Sequence, residues 1–90
     1  MNREDKLKFA EDNKHIPTAE IEQDISDTKV EIIQLEREAD FLAETPMGMQ
    51  ETKLNHMRAN AKRSGIDERK IFIEKLQAIL EIRKEVKNGN

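Results

Sequence analysis

Apolar or small residues recur at alternating steps of four and three between residues 18 and 44. The positions concerned are Ile21, Ile25, Thr28, Ile32, Leu35, Ala39 and Leu42. Such steps form a narrow heptad stripe along one side of an α-helix, which is the width that a single partner helix covers. Pro17 and Thr18 are typical of a helix start, and Thr45-Pro46 is typical of a helix end. The pattern therefore predicts a helix over 18–44 that packs against another helix.

A second set of apolar residues lies away from this stripe on the same predicted helix. Val30, Ile33 and Phe41, together with Ala19, project about 120–200° around the helix from the stripe. One partner helix cannot cover both sides. These residues therefore indicate either a second contact surface or scattered surface hydrophobes, which soluble proteins tolerate.

Helical spacing predicts three further helices. Residues 2–13 read as a short amphipathic helix capped by Asn2, followed by a linker that ends at Pro17. After a turn at 46–50, one helix is expected over 50–63, with helical spacing of Leu54, Met57 and Ala61. Another is expected over 67–87, with Gly65 ending the first and Asp67 capping the second. The expected organisation is a short N-terminal helix and linker over 1–16 and a helical hairpin or small bundle over 17–90.

Apolar residues spread around much of the last predicted helix. Ile73, Leu76 and Leu80 form one line, and a second line lies about 100° away. An apolar arc this wide requires two neighbours. We therefore predict an all-α fold in which helix 18–44 and helix 67–87 pair antiparallel along a coiled-coil-like seam. We also predict that a dimer or higher homo-oligomer buries the apolar side chains that this pair leaves exposed. The residues assigned to this oligomer or partner interface are Val30, Ile33, Phe41, Phe72, Ile79, Ile82 and Val86.

Composition favours self-association and argues against disulfide bonds, thiolate metal sites and membrane insertion. At ninety residues, with 36% hydrophobic and 39% charged content, the chain is near the size at which a single core is marginal. Because the chain has no cysteine, neither disulfide bonds nor a thiolate metal site can stabilise such a small core. The polar N-terminus does not resemble a signal peptide and no apolar run has transmembrane length, so the expected location is the cytoplasm.

No catalytic, metal or cofactor site is predicted. His15 and His56 lie in different segments without a serine–glycine elbow, and the pair Asp12 and His15 lacks a nominated third metal ligand. Gly48 and Gly65 are isolated, so a phosphate-binding glycine loop is not indicated. We therefore do not expect an enzyme.

Charge is divided unevenly along the chain, whose net charge is −3. Segment 18–44 holds nine acidic residues against Lys29 and Arg37, a net charge of −7, whereas segment 50–63 has a net charge of +3. The acidic helix would either keep the protein soluble or occupy a basic groove on a partner. The basic segment raises the alternative of a nucleic-acid-associated regulator that contacts phosphates through Lys53, Arg58, Lys62 and Arg63.

The leading hypothesis is a non-enzymatic, self-associating helical module that binds another protein as an adaptor, regulator or inhibitor. A third hypothesis is an oligomeric sponge for a small anionic ligand, with Lys6, Lys8, Arg69 or Lys70 as donors. In size and build the chain resembles small accessory proteins of bacteria and their phages, whose helical hairpins oligomerise and sequester a partner or a small ligand. That resemblance carries no motif and assigns no residue.

Overall fold

Three α-helices account for most of residues 1–44 and 49–88, the part of the chain that this computed structural model describes. Helix α1 spans Arg3–Asp12, α2 spans Thr18–Glu44 and α3 spans Met49–Asn88. The molecule is a rod with extents of 63 × 23 × 18 Å, and α3 runs along its length. The predicted all-α fold is confirmed.

Local capping follows the sequence signals at the start of the chain. The side-chain oxygen of Asn2 accepts a hydrogen bond from the backbone N–H of Asp5 at 2.8 Å, as its predicted role as the cap of α1 requires. The carbonyl of Pro17 accepts the backbone N–H groups of Glu20 and Ile21 at 3.1 and 3.2 Å, which begins α2 at the expected position.

Helices α2 and α3 form an antiparallel hairpin. Thr18 of α2 contacts Arg83, Glu31 contacts Arg69 and Glu38 contacts Lys62, so the α3 number falls as the α2 number rises. The stripe predicted on α2 faces α3. Its buried members are Ile21, Ile25, Thr28, Ile32 and Ala39, and Leu35 and Leu42 are partly buried.

The side of α3 that faces α2 also advances in steps of four and three. Its buried members are Asn55, Ala59, Ile66, Ile73 and Leu76, and Lys62, Arg69, Leu80 and Arg83 are partly buried. In the basic segment the buried positions are thus a polar and a small residue, whereas Leu54, Met57 and Ala61 are exposed. The larger apolar residues of this segment thus lie on the side that does not face α2.

The predicted helix boundary at Gly65 is wrong. Helix α3 is continuous for 40 residues through Gly65, and among the described residues no glycine has a positive φ. Gly65 faces α2, where an added Cβ would lie 4.0 Å from Cδ1 of Leu35 and 3.2 Å from Nη1 of Arg69. The neighbouring Ile66 is buried in the core. The packing of Gly65 beside Leu35 and the burial of Ile66 therefore stabilise a continuous helix at this position. Of the turn expected at 46–50, residues 46–48 lie outside the described residues.

Helix α1 covers the C-terminal part of α3. Ala10 belongs to the buried cluster with Ile79 and Ile82, and Phe9 and Ile16 pack against that cluster. Ile79 is fully buried and Ile82 is 7% exposed within the single chain. Assigning these two residues to an intermolecular interface was therefore wrong, because the N-terminal segment supplies the second neighbour at this end of α3.

Arg83 ties the linker between α1 and α2 to α3. One of its Nη atoms donates to Oγ1 of Thr18 at 2.9 Å, and the other donates to the carbonyls of Ile16 at 2.6 Å and Asn13 at 3.2 Å. Two surface ion pairs, Arg3 with Glu85 at 2.8 Å and Lys6 with Glu81 at 3.3 Å, add a modest contribution to α1 docking.

The substitution Gly65→Ala should raise the free energy of unfolding by about 0.5–1 kcal/mol, because alanine favours the interior of a helix and the end of the Arg69 side chain can move aside. Urea unfolding of Gly65→Ala, with Ser64→Ala as the exposed neighbour control, measures this gain. A loss of stability would contradict this expectation and show that Arg69, which donates to the Gly65 carbonyl at 3.1 Å, cannot move aside.

The substitution Ile79→Ala should lower the free energy of unfolding by about 2–5 kcal/mol, because it leaves a cavity in the buried cluster. The same substitution at Ile33, which is 50% exposed on α2, should change it by less than about 1 kcal/mol. Thermal and urea unfolding of the two variants test the assignment of core and surface. Equal losses at the two positions would contradict it.

The substitution Arg83→Ala should release α1 while leaving the hairpin folded, because the linker loses three hydrogen bonds from a charged donor. Amide hydrogen exchange should accelerate in residues 3–16 and remain slow around Ile25 and Ile73. The exposed neighbour Lys84→Ala is the matched control. Unchanged protection of α1 in Arg83→Ala would show that apolar contacts alone hold the helix.

Candidate protein-binding faces

An apolar face lies on the side of α2 that points away from α3. We call Val30, Ile33 and Phe41 the α2 outer face; their side chains are 62%, 50% and 69% exposed. Val30 lies two residues from both Thr28 and Ile32, which are buried against α3. A step of two residues turns a helix by about 200°, so burial of the stripe places Val30 on the opposite side.

Carboxylates border the α2 outer face. Glu31, Glu38 and Asp40 pair with basic residues of α3 at 2.9, 2.7 and 3.9 Å. Other acidic residues of α2 remain exposed, namely Glu20, Glu22, Asp27, Glu36 and Glu44. Two basic residues are also neighbours of the face, Lys29 beside Val30 and Arg37 between Ile33 and Phe41, and both are exposed. The face therefore has both basic and acidic side chains beside it, on a helix whose net charge is −7.

A second exposed stripe runs along the side of α3 away from α2. We call Leu54, Met57, Ala61, Ser64, Glu68 and Ile71 the α3 outer stripe, whose members are spaced by three and four residues. Leu54 is 44% exposed, Met57 is 61% exposed and Ile71 is 52% exposed. Continuing the same spacing passes the exposed Lys75 and then reaches Ala78 and Ile82, which are 3% and 7% exposed. Burial along this side of α3 thus begins only at the end of the helix where α1 packs.

The α3 outer stripe is not predicted from the sequence, because the predicted helix boundary at Gly65 divides it between two helices. The spacing predicts that Leu54, Met57 and Ala61 share one side of a helix, but a helix that ends at residue 63 would not extend that side to Ile71. A continuous α3 joins them to Ile71 on one side.

The residues predicted to form one interface lie in separate places. Val30, Ile33 and Phe41 share the α2 outer face, whereas Phe72 lies beside the seam. There it lines an open groove of about 420 Å³ with side chains of both helices, including Thr28, Glu31 and Arg69. Val86 is 61% exposed at the opposite end of α3 from Leu54.

A shallow groove of about 460 Å³ separates α1 from the end of α3. Its apolar lining is Leu7, Ala10, Ile82 and Val86, and its polar lining is Glu11, Lys14, Arg83 and Lys87. The hydrogen bond from Lys14 to the Glu11 carboxylate at 2.8 Å, reinforced by the charge of that carboxylate, raises the pKa of the Lys14 ammonium. Arg83 is already engaged with the linker, so the basic groups of this groove do not converge on one point.

The four residues predicted to contact phosphate differ in their surroundings. Lys62 donates to Glu38 at 2.7 Å, and Arg63 lies 3.9 Å from Asp40. Lys53 and Arg58 are exposed on α3. The acidic helix of the same chain therefore partly neutralises the basic segment.

The four residues predicted to hold a small anion are also dispersed in a single chain. Lys6 pairs with Glu81 near the end of α3, and Arg69 pairs with Glu31 near the middle of the rod. Lys8 and Lys70 are exposed. One chain does not bring these four cations together.

Across residues 1–44 and 49–88, no group of three histidine, aspartate or glutamate side chains has the arrangement to hold a metal ion. Within those same residues, none of the helices has both the length and the apolar character needed to cross a membrane.

Comparisons of the chain with protein-family models, with curated proteins and with solved structures found no match.

Proposed function

We propose that the protein is a non-enzymatic helical module that self-associates and acts by binding another protein, as an adaptor, regulator or inhibitor. The observation that carries the proposal is the exposure of Val30, Ile33 and Phe41 on the α2 outer face. These three side chains lie on the side of α2 that is turned away from α3.

The energetics of burial favour a docking role for such a face. Full burial of a completely exposed valine, isoleucine or phenylalanine side chain contributes about 1.5–3 kcal/mol, and covering these three, which are 50–69% exposed, would contribute a part of that each. Association must offset the loss of translational and rotational freedom, and a few well-buried apolar residues usually supply most of the net affinity. Three apolar residues within three turns of one rigid helix are suited to that role.

Charge indicates the kind of protein that fits the α2 outer face. Helix α2 carries a net charge of −7, so a second copy of α2 laid on this face would bring two acidic helices together. A partner with an apolar ridge bordered by lysine or arginine would instead gain attraction and faster encounter. The proposed partner of this face is therefore a basic amphipathic helix.

Binding of a synthetic amphipathic helical peptide, with leucines on one side and lysines flanking them, tests this proposal by fluorescence anisotropy. The double variant Val30→Ser, Phe41→Ser should bind the peptide about tenfold or more weakly, because two apolar contacts are lost. Affinity for the unaltered protein should also fall as salt is raised, because the flanking charges are exposed.

Two controls make the result specific. Met57→Ser alters an equally exposed apolar residue on α3 and should leave peptide affinity unchanged. A peptide with glutamate in place of each lysine should not bind. Equal affinity of the double variant and the unaltered protein would refute the assignment of the α2 outer face.

A further inference from the structure

The α3 outer stripe continues a surface on which a helix already packs. Ala78 and Ile82 lie at its C-terminal continuation, where α1 covers α3, and residues 54–71 present the same spacing without that cover. Helix α1 spans only ten residues, whereas α3 spans 40, so α1 covers one end of the helix. The rest of this side of α3 has the geometry for a further helix.

The stripe is symmetric about its own centre. When two copies of α3 lie antiparallel, Leu54 of each faces Ile71 of the other, Ala61 faces Ser64, and Met57 faces Glu68. All six members of the stripe are used in this single register. In an antiparallel pair of helices, each a position of the heptad repeat on one helix faces a d position on the other. The spacing of the stripe therefore matches a dimer with twofold symmetry.

We propose that the α3 outer stripe binds the same stripe of a second copy of this chain, in an antiparallel arrangement. This inference deepens the proposed function, on which it rests, by naming the face through which the module self-associates. The small side chains of Ala61 and Ser64 at the centre let the two helices approach closely, and the larger apolar residues lie on either side of them.

Charge is complementary in this register. The border of the stripe places Lys53 of one copy beside Glu74 of the other, and Arg58 of one copy beside Glu68 of the other. All four side chains are exposed on α3. Each contact occurs twice because of the twofold symmetry. The same symmetry applied to the acidic α2 would produce repulsion, so charge favours α3 over α2 as the self-association face.

Sedimentation equilibrium over a range of protein concentrations tests the face. The unaltered protein should be a dimer, and Ile71→Lys should weaken dimerisation about tenfold or more because it places a charge against Leu54 of the other copy. Ile33→Lys, the same substitution at a similarly exposed residue of the α2 outer face, should leave the dimer intact. Far-ultraviolet circular dichroism confirms that both variants remain helical.

Engineered cysteines test the orientation, since the natural chain has none. Mixing Leu54→Cys with Ile71→Cys under mild oxidation should give the mixed disulfide in preference to either homodimer. A charge exchange provides a second check: Lys53→Glu should weaken the dimer several-fold, and adding Glu74→Lys should restore it.

These experiments distinguish failure of the proposed α3 dimer from failure of the proposed function. Loss of the dimer in Ile33→Lys but not in Ile71→Lys would overturn the α3 face while leaving self-association standing. A preferred homodisulfide at position 54 would overturn the antiparallel register. A monomer at every concentration would overturn this inference together with the self-association part of the proposed function, and peptide binding at the α2 outer face would then be the part that remains.

Discussion

The packing of α2 against α3 is the contact on which the rest of the molecule depends. A ten-residue helix such as α1 is marginal alone in water, and longer helices still rely on burying an apolar side. Ile21 of α2 is fully buried and Leu76 of α3 is 5% exposed, and the charged side chains beside the seam pair across it. This contact fixes the rotation of both helices about their axes. It therefore also determines which side chains of α2 and α3 point away from the partner helix and remain exposed to solvent.

Two helices joined as a hairpin cover only one side of each other. Helix α1 supplies a second neighbour at one end of α3, which is enough to bury Ile79 and Ile82 but not the preceding five turns. The opposite sides of α2 and α3 consequently carry apolar residues at helical spacing, and their charges differ. Helix α2 is acidic as a whole, whereas the α3 outer stripe has charges of both signs beside it, and this difference is the basis for proposing a different partner for each side.

Much of this architecture follows from the sequence, and its failures have identifiable causes. The α2 stripe, the Asn2 cap and the start of α2 after Pro17 were predictable because strict periodicity and local capping chemistry act within a few residues. The break at Gly65 was wrong because an isolated glycine is compatible with both a helix end and a close helix contact, and only the position of Leu35 and Arg69 distinguishes the two. The burial of Ile79 and Ile82 was missed because it depends on where a short N-terminal helix docks, which periodicity does not specify. The α2 outer face was visible from angular position alone, whereas the α3 outer stripe required a continuous α3.

The central claim is that a single chain leaves apolar residues on its outer sides uncovered. Hydroxyl-radical footprinting with mass spectrometry, on protein diluted to its monomeric limit and then concentrated, tests this most directly. In dilute protein, Val30, Phe41 and Met57 should react readily while Ile21 and Ile79 stay protected, and concentration should protect Met57 and leave Val30 reactive. Protection of Val30 and Met57 equal to that of Ile79 in the most dilute sample would contradict the account, since it would mean that one chain covers its own outer faces.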